Sequence, residues 1–166
     1  FALIALGMTF VIMTAGIDLS VGAVVALSAV TAARLSPHGL WVALAAAIAI
    51  GLLVGAINGG LIAVFKIQPF ITTLAMLLAA RGAALNLSHN ASVSVEYTTN
   101  YKDLWKTTIG PVPLPVVIVI VAYVFGSILL NLTRFGRHIL AIGGNEEAAR
   151  LAGLPVDRTL FFVYLL

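Results

Sequence analysis

The 166-residue chain contains no cysteine, so no disulfide framework, iron–sulfur cluster or thiolate zinc site can be built from it. Charge is almost as scarce. Only 9% of the residues are Asp, Glu, Lys or Arg while 61% are hydrophobic, whereas a soluble domain carries about 25% charged residues. Too little polar side chain remains to cover a water-exposed surface, and the natural solvent is a lipid bilayer. His38, His89 and His138 stand far apart in polar stretches, which argues against a metal site. The phosphate-cradling G-x-x-x-x-G-K-[ST] loop, the H-E-x-x-H pair and the G-x-S-x-G elbow are all missing. The chain therefore offers no nucleotide-hydrolysing, metalloprotease or hydrolase chemistry of its own. No catalytic residue, metal, cofactor or nucleic-acid partner is expected.

What the chain has is long, continuous apolar runs. They cover 1–15, 19–35, 40–65, 70–87 and 114–132, and a further one starts near Thr159. A bilayer core about 30 Å thick takes roughly 20 helical residues to cross. The runs do not alternate as the strands of a membrane barrel would. The expected fold is all-α and integral to the membrane: a polytopic transmembrane helix bundle with about six spans or partial spans. A single helix over 1–33 would reach about 50 Å, beyond the core thickness, so the GIDLSVG stretch inside it is a reversal or a break. SPHG at 36–39 and KIQP at 66–69 read as turns, and 88–113 and 133–158 as polar loops. Both ends fall inside apolar runs, and no signal peptide is visible; the chain reads as a piece of a longer protein.

Lysine and arginine set the orientation. The 133–158 segment holds Arg134, Arg137, Arg150 and Arg158, whereas 88–113 holds only Lys102 and Lys106. The former is expected to be cytoplasmic and the latter periplasmic. Alternation then puts Lys66 on the cytoplasmic side, in agreement, and places Asp18 near that face. The NAS triplet at 90–92 matches a glycosylation sequon, a match without meaning in a bacterial protein.

Several side chains stand out against this apolar background. Asp18, supported by Ser20, could cap the helix over 19–35. Acids buried in membranes are also rare and functional, so Asp18 equally fits a pathway or gate, and a capped helix end can line a path. Gly51, Gly55 and Gly59 recur every fourth residue on one helix stripe, the small-xxx-small pattern that lets two backbones approach. Asn58 beside them offers an amide to a neighbouring helix or a polar cavity. Thr72 and Thr73 either line a path or bond back to their own helix. Arg81, well inside the 70–87 run, must snorkel, pair internally or touch a ligand.

The most specific segment is GGNEEAARLAGLP at 143–155. Asn145 is a good N-cap, Glu146 and Glu147 suit the first turn, and Arg150 sits toward the far end. Gly153 fits the position after the last turn and Pro155 stops continuation. Together they specify a helix of about 8 residues, near 12 Å. Ala148, Leu151 and Ala152 make one small apolar face. So short a helix is marginal alone and needs something to dock against, either its own bundle and membrane surface or a cytoplasmic partner.

Three ordered blocks resemble one family. GMTFVIMTAGIDLSVGAVVALSA, KIQPFITTLAMLLAARG and TRFGRHILAIGGNEEAARLAGLPVDR are similar to the characteristic segments of ribose-type ABC sugar permeases of the branched-chain amino acid/ribose permease superfamily. Leu154 stands where isoleucine is commoner, and 88–113 shows no clear match. The resemblance implies a permease of roughly ten spans in the bacterial inner membrane, importing a ribose-like pentose, a hexose or a related polyol. It implies a pore of two permease copies, cytoplasmic ATPase subunits that supply the hydrolysis, and a periplasmic sugar-binding protein. It also implies that Gly144, Asn145, Glu146, Glu147, Ala148, Ala149, Arg150 and Gly153 form the segment that couples to the ATPase. Two other readings stand beside it: an ion-coupled secondary transporter with broken helices, for which Asp18 is the one candidate coupling acid, and a non-transporting membrane scaffold or receptor. On the permease reading, replacing Glu147 and Arg150 together uncouples ATP hydrolysis from uptake while membrane insertion survives, which vesicle transport assays on the double variant would read out.

Overall fold

A computed structural model describes residues 1–96, 100 and 106–166. Lys102, one of the two lysines that entered the orientation argument, lies outside the described residues. The bundle is built from α1 (Ala2–Met13), α2 (Val21–Leu35), a 3-10 turn (Ser36–His38), α3 (Leu40–Ala63) and α4 (Pro69–Ser88). After the 88–113 segment follow α5 (Leu114–Leu132), α6 (Arg134–Gly144), α7 (Glu146–Leu151) and α8 (Val156–Leu165). Among the described residues, α3, α4 and α5 are long and apolar enough to cross a membrane. At 1.5 Å per residue, α1, α2 and α8 are partial spans, so the architecture matches the expected mixture of full and partial crossings.

Local chemistry sets most of the boundaries. Pro69 opens α4 at a position where its missing N–H costs nothing. At the far end, His89 takes the left-handed conformation that closes the helix. Of the reversal or break that length allowed, the 14–20 stretch is a reversal: Ala15 sits at φ 58° just past the end of α1. The chain leaves α1, which packs on α5, α6 and α8, and enters α2, which packs on α3 and α4. Leu27 of α2 meets Ala80 and Ala84 of α4 in one apolar cluster. Phe10 and Val11 of α1 meet Ile62, Ile139, Val163 and Tyr164 in another.

Two expectations need correction. The 133–158 stretch is not mainly loop: it holds α6 as well as α7. Thr133 caps α6 by accepting from the Gly136 backbone N–H, and Ile139 and Ile142 are buried beneath it. The sequence shows this as apolar residues at 135, 139 and 142, the helical period, which the intervening arginines mask. In the outer segment, β1 (Thr108–Ile109) and β2 (Val112–Pro113) pair as a minimal antiparallel hairpin, although no strand was expected. Gly110, at φ 61°, supplies the left-handed turn that a two-residue loop demands.

The two ends of the bundle are distinct. At one end the Glu96 N–H donates to Ser36 Oγ (2.9 Å) and the Leu40 N–H to Asn100 Oδ1 (3.1 Å). The two stretches assigned to the outer side therefore touch each other. At the opposite end Lys66, α7 and the start of α8 come together, the grouping that alternation demanded.

Helices α3 and α8 pack backbone against backbone at two positions. A Cβ on Gly55 would fall 2.5 Å from the Tyr164 carbonyl oxygen, and one on Gly59 would fall 2.8 Å from that of Phe161. The glycine stripe thus meets a partner backbone, but only in part: Gly51 has open space where a side chain would go. Gly55→Val is therefore expected to destabilise the bundle by about 1–3 kcal/mol through overpacking against immovable backbone, with Gly51→Ala close to neutral. Thermal unfolding of the detergent-solubilised full-length protein would separate the two.

Candidate functional site

Polar side chains gather where the reversal meets α3 and α4. Asp18 Oδ1 accepts from the Ser20 backbone N–H (2.7 Å) and from the Ser20 hydroxyl (2.6 Å). Ser20 Oγ in turn accepts from Asn58 Nδ2 of α3 (3.1 Å). Thr73 of α4 donates to the Pro69 carbonyl of its own helix (2.9 Å), with the Ile17 carbonyl of the reversal at 3.4 Å. Ser20 and Asn58 are both 1% exposed. In a bilayer each backbone polar group of a non-helical stretch must find a protein partner, and these side chains supply partners for the 17–20 backbone.

Asp18 is therefore not the N-cap of α2. That helix begins at Val21 with Ser20 at the cap position, and the carboxylate closes a local turn two residues before it. Asp18, Ser20 and Asn58 border a cleft of about 380 Å³, shared with Gly51, Gly55 and Tyr164. Three buried polar atoms of this region, Asn58 Oδ1, Thr72 Oγ1 and Tyr164 Oη, have no hydrogen-bond partner among the described residues. Thr72 and Thr73 are both buried, yet only Thr73 reaches the reversal. Arg81 is exposed on α4, eight positions and about 12 Å further along the helix, and does not join the cluster.

The second constellation lies at the end that carries the arginines. Asn145 Oδ1 accepts from the Ala148 N–H (2.9 Å), capping α7 as its sequence specified. The helix is shorter than expected, Glu146–Leu151, because Ala152 already leaves it and Gly153 turns left-handed at φ 78°. Ala149 is buried with Ile142, Ala63, Val156 and Leu160. Ala148, Leu151 and Ala152 face outward instead, and Leu151 is 85% exposed. The residues expected to form the coupling segment thus divide into an inner anchor, Ala149, and an outer face that also carries exposed Glu146 and Glu147.

Arg150, toward the far end of the helix as its sequence specified, turns its side chain to Glu146 and to α8. Its Nη2 donates to Glu146 Oε1 (3.1 Å) and to Asp157 Oδ1 of α8 (2.9 Å). Asp157 Oδ1 also accepts from Lys66 Nζ, in the turn between α3 and α4. The Arg150 guanidinium, and after it the Lys66 ammonium, hold the Asp157 carboxyl below the usual carboxylate range, and Asp157 in turn raises the Arg150 pKa. A depressed carboxyl contributes stability above its ordinary pKa and loses it as pH falls through the depressed value, so this clasp holds throughout the neutral range. Sequence reasoning did not select Lys66 or Asp157 as site residues. Their signal was lone opposite charges at two loop–helix junctions of the same membrane side. Next to the clasp is a second cavity, of about 490 Å³, between the end of α1, the α3–α4 turn and α6–α7. Among the described residues no cluster of His, Cys, Asp or Glu is arranged to hold a metal.

Against known proteins, the family model described as "Branched-chain amino acid transport system / permease component" matches residues 1–166. The ribose import permease protein RbsC of Escherichia coli strain K12 is 40% identical over 170 residues, covering 99% of this chain and 53% of that protein. The L-arabinose transport system permease protein AraH of the same strain is 40% identical over 166 residues, covering 99% of this chain and 50% of that protein. The fructose import permease protein FruF of Bifidobacterium longum is 37% identical over 169 residues, covering 99% of this chain and 48% of that protein. The chain spans about half the length of the curated relatives it matches. No solved structure matches it. The chain belongs to this permease family and is a polytopic helical, multi-pass protein of the inner membrane.

The Asn145 cap yields a measurement. Asn145→Ala removes the side-chain acceptor for Ala148 N–H and is expected to cost α7 about 1 kcal/mol. That raises amide hydrogen exchange at Ala148 and Ala149 by about fivefold, while Asn145→Ser leaves it near the parent rate.

Proposed function

We propose that this chain, a member of that family, is part of the membrane subunit of an ABC importer that moves a simple sugar across the inner membrane. The substrate class is a ribose-like pentose, a hexose or a related polyol. The chain supplies no hydrolysis: cytoplasmic ATPase subunits drive it, a periplasmic binding protein delivers the sugar, and a second permease copy completes the pore. Relatives named for ribose, arabinose and fructose import support the sugar class.

The observation that carries the reading is α7. It is a capped peg of Glu146–Leu151, standing on the end of the bundle that holds Arg134, Arg137, Arg150 and Arg158. Its outer face of Ala148, Leu151 and Ala152 is exposed, with no cover among the described residues. An exposed leucine at the tip of a short, anchored helix is the geometry of an apolar knob for a socket in another subunit. Gly144 and Gly153 at the ends let the peg turn away from α6 and α8. At the other level, the Asp18–Ser20–Asn58 knot and Thr73 stand at the reversal, where a change in the spacing of α2, α3 and α4 opens or closes the cytoplasmic end of a path. Gly51, with open space beside it, borders the same cleft. Arg81, on the outward face of α4, lies off this path. An ion-coupled mechanism has no use for α7, and Asp18, its one candidate acid, spends a carboxylate oxygen on Ser20.

The test is uptake of labelled ribose, arabinose and fructose by the full-length protein in proteoliposomes with its ATPase and binding protein. Uptake of at least one sugar that requires ATP is the expected result; uptake driven by a proton gradient without the ATPase would overturn the reading. Leu151→Asp is expected to weaken ATPase association at least tenfold, the loss typical of a central apolar anchor, without loss of membrane insertion.

A further inference from the structure

Helix α7 is held to the bundle at two points. One is apolar: Ala149 in its cluster with Ala63, Ile142, Val156 and Leu160. The other is ionic and runs through a single carboxylate. Asp157 Oδ1 accepts from Arg150 of α7 at 2.9 Å and from Lys66 of the α3–α4 turn, and Asp157 itself sits in the first turn of α8. Two consecutive helices, α7 and α8, and a turn 91 positions before Asp157 therefore meet on one side chain. Lys66 stands in this turn with a left-handed backbone at φ 57°.

From Asp157 the path upward is rigid. Helix α8 lies backbone to backbone on α3 at Gly55 and Gly59. It ends with Tyr164 against Gly16, at the reversal: a Cβ on Gly16 would fall 2.6 Å from the Tyr164 hydroxyl. The contacts at the base of this path are half exposed, with Lys66 at 51% and Asp157 at 46%, and exposed ion pairs contribute little to folding stability. Their removal should leave the bundle standing. What they fix is relative position.

We infer that Asp157 is the positioning residue that joins the α7 peg to α8 and to the α3–α4 turn, so that displacement of the peg reaches the reversal at Gly16–Asp18 through α8. Lys66 is the other half of the clasp and Arg150 its link to α7. The inference rests on the reading of α7 as the ATPase dock. Asp157 does not touch sugar or nucleotide; it acts by keeping three elements in one frame.

The experiment uses the full-length permease with its ATPase and binding protein in proteoliposomes, and compares labelled sugar taken up per ATP hydrolysed. Asp157→Asn, which keeps shape and removes charge, is expected to lower that ratio by about fivefold or more, the lower range of site-to-site coupling. ATPase association in pull-downs and thermal stability stay at parent levels. Asp157→Glu is expected to restore most of the ratio, and Lys66→Gln added to Asp157→Asn to cause no further loss, because both act on one clasp. Spin labels at Ala152 and Phe65 should report a broader distance distribution in Asp157→Asn, a readout that a merely stabilising role would not move. A parent-like uptake ratio in Asp157→Asn, in a protein whose ATPase binding is still abolished by Leu151→Asp, overturns this inference alone. ATPase binding that survives Leu151→Asp overturns the docking reading and this inference with it.

Discussion

The contact on which the rest depends is the direct approach of α8 to α3. Lipid tails are as apolar as leucine side chains, so no hydrophobic gain separates helix–helix from helix–lipid contact, and close backbone packing takes its place. Gly55 and Gly59 bring the carbonyls of Tyr164 and Phe161 to where side chains would otherwise stand. That single interface fixes three things. It sets Asp157 beside Lys66 at the water end. It buries Val163 and Tyr164 with Phe10, Val11 and Ile62. It brings the Tyr164 hydroxyl against the reversal at Gly16. A helix of ten residues could not hold such a position by its own propensity; its register is imposed by the glycines opposite.

The reversal at 14–20 is the complementary element. Non-helical backbone inside a membrane is tolerated only where protein or a cavity satisfies it; here Asp18 accepts from the Ser20 N–H and Thr73 reaches the Ile17 carbonyl, while the Ser20 and Asn58 side chains tie the turn to α3. The same region leaves Asn58 Oδ1 and Tyr164 Oη buried without hydrogen-bond partners among the described residues, an unfavourable arrangement where water is excluded. One atom belongs to α3 and the other to α8, the two helices of the tight interface. A stretch that is polar, non-helical and incompletely satisfied has little to lose by rearranging, whereas the glycine-lined contact beside it has no freedom to deform. Compliance and stiffness are thus placed next to each other, at the junction where a motion entering from the water side would arrive.

Much of this was legible in the sequence because it is local. Run lengths marked α3, α4 and α5, and α5 begins and ends where its apolar run does. Asn145, the first-turn glutamates and Gly153 announced α7, since caps are short-range chemistry. A reversal or break at 14–20 followed from length alone. What escaped is of two kinds. Helix α6 was hidden because its apolar positions, Phe135, Ile139 and Ile142, are interleaved with Arg134, Arg137 and His138, and charge density suggested a loop. The clasp was hidden because Lys66 and Asp157 are 91 positions apart, and no local rule pairs them. Asp18 shows a subtler limit: its type and place suit a helix cap, yet the helix starts at Val21, and the carboxylate serves a turn instead.

The division of labour within α7 follows from these same facts. Had Arg150 faced outward beside Glu147, one surface would have had to both recognise a partner and transmit its movement. On the docking proposed above, Arg150 turned toward Asp157 would leave recognition to Ala148, Leu151, Ala152 and Glu147, and transmission to Ala149 and the clasp. Apolar burial at Ala149 is non-directional and tolerates small rotations of the peg. The ion pairs are directional at their hydrogen bonds and limit how far α7 can swing from α8. On the proposed coupling, a peg held by one slippery and one directional contact would rotate about the first and pull on the second, and the pull would act on Asp157. That carboxylate stands at the foot of the one helix whose backbone is locked against α3, so the glycines of α3 and the charge at the base of α8 belong to a single mechanical unit.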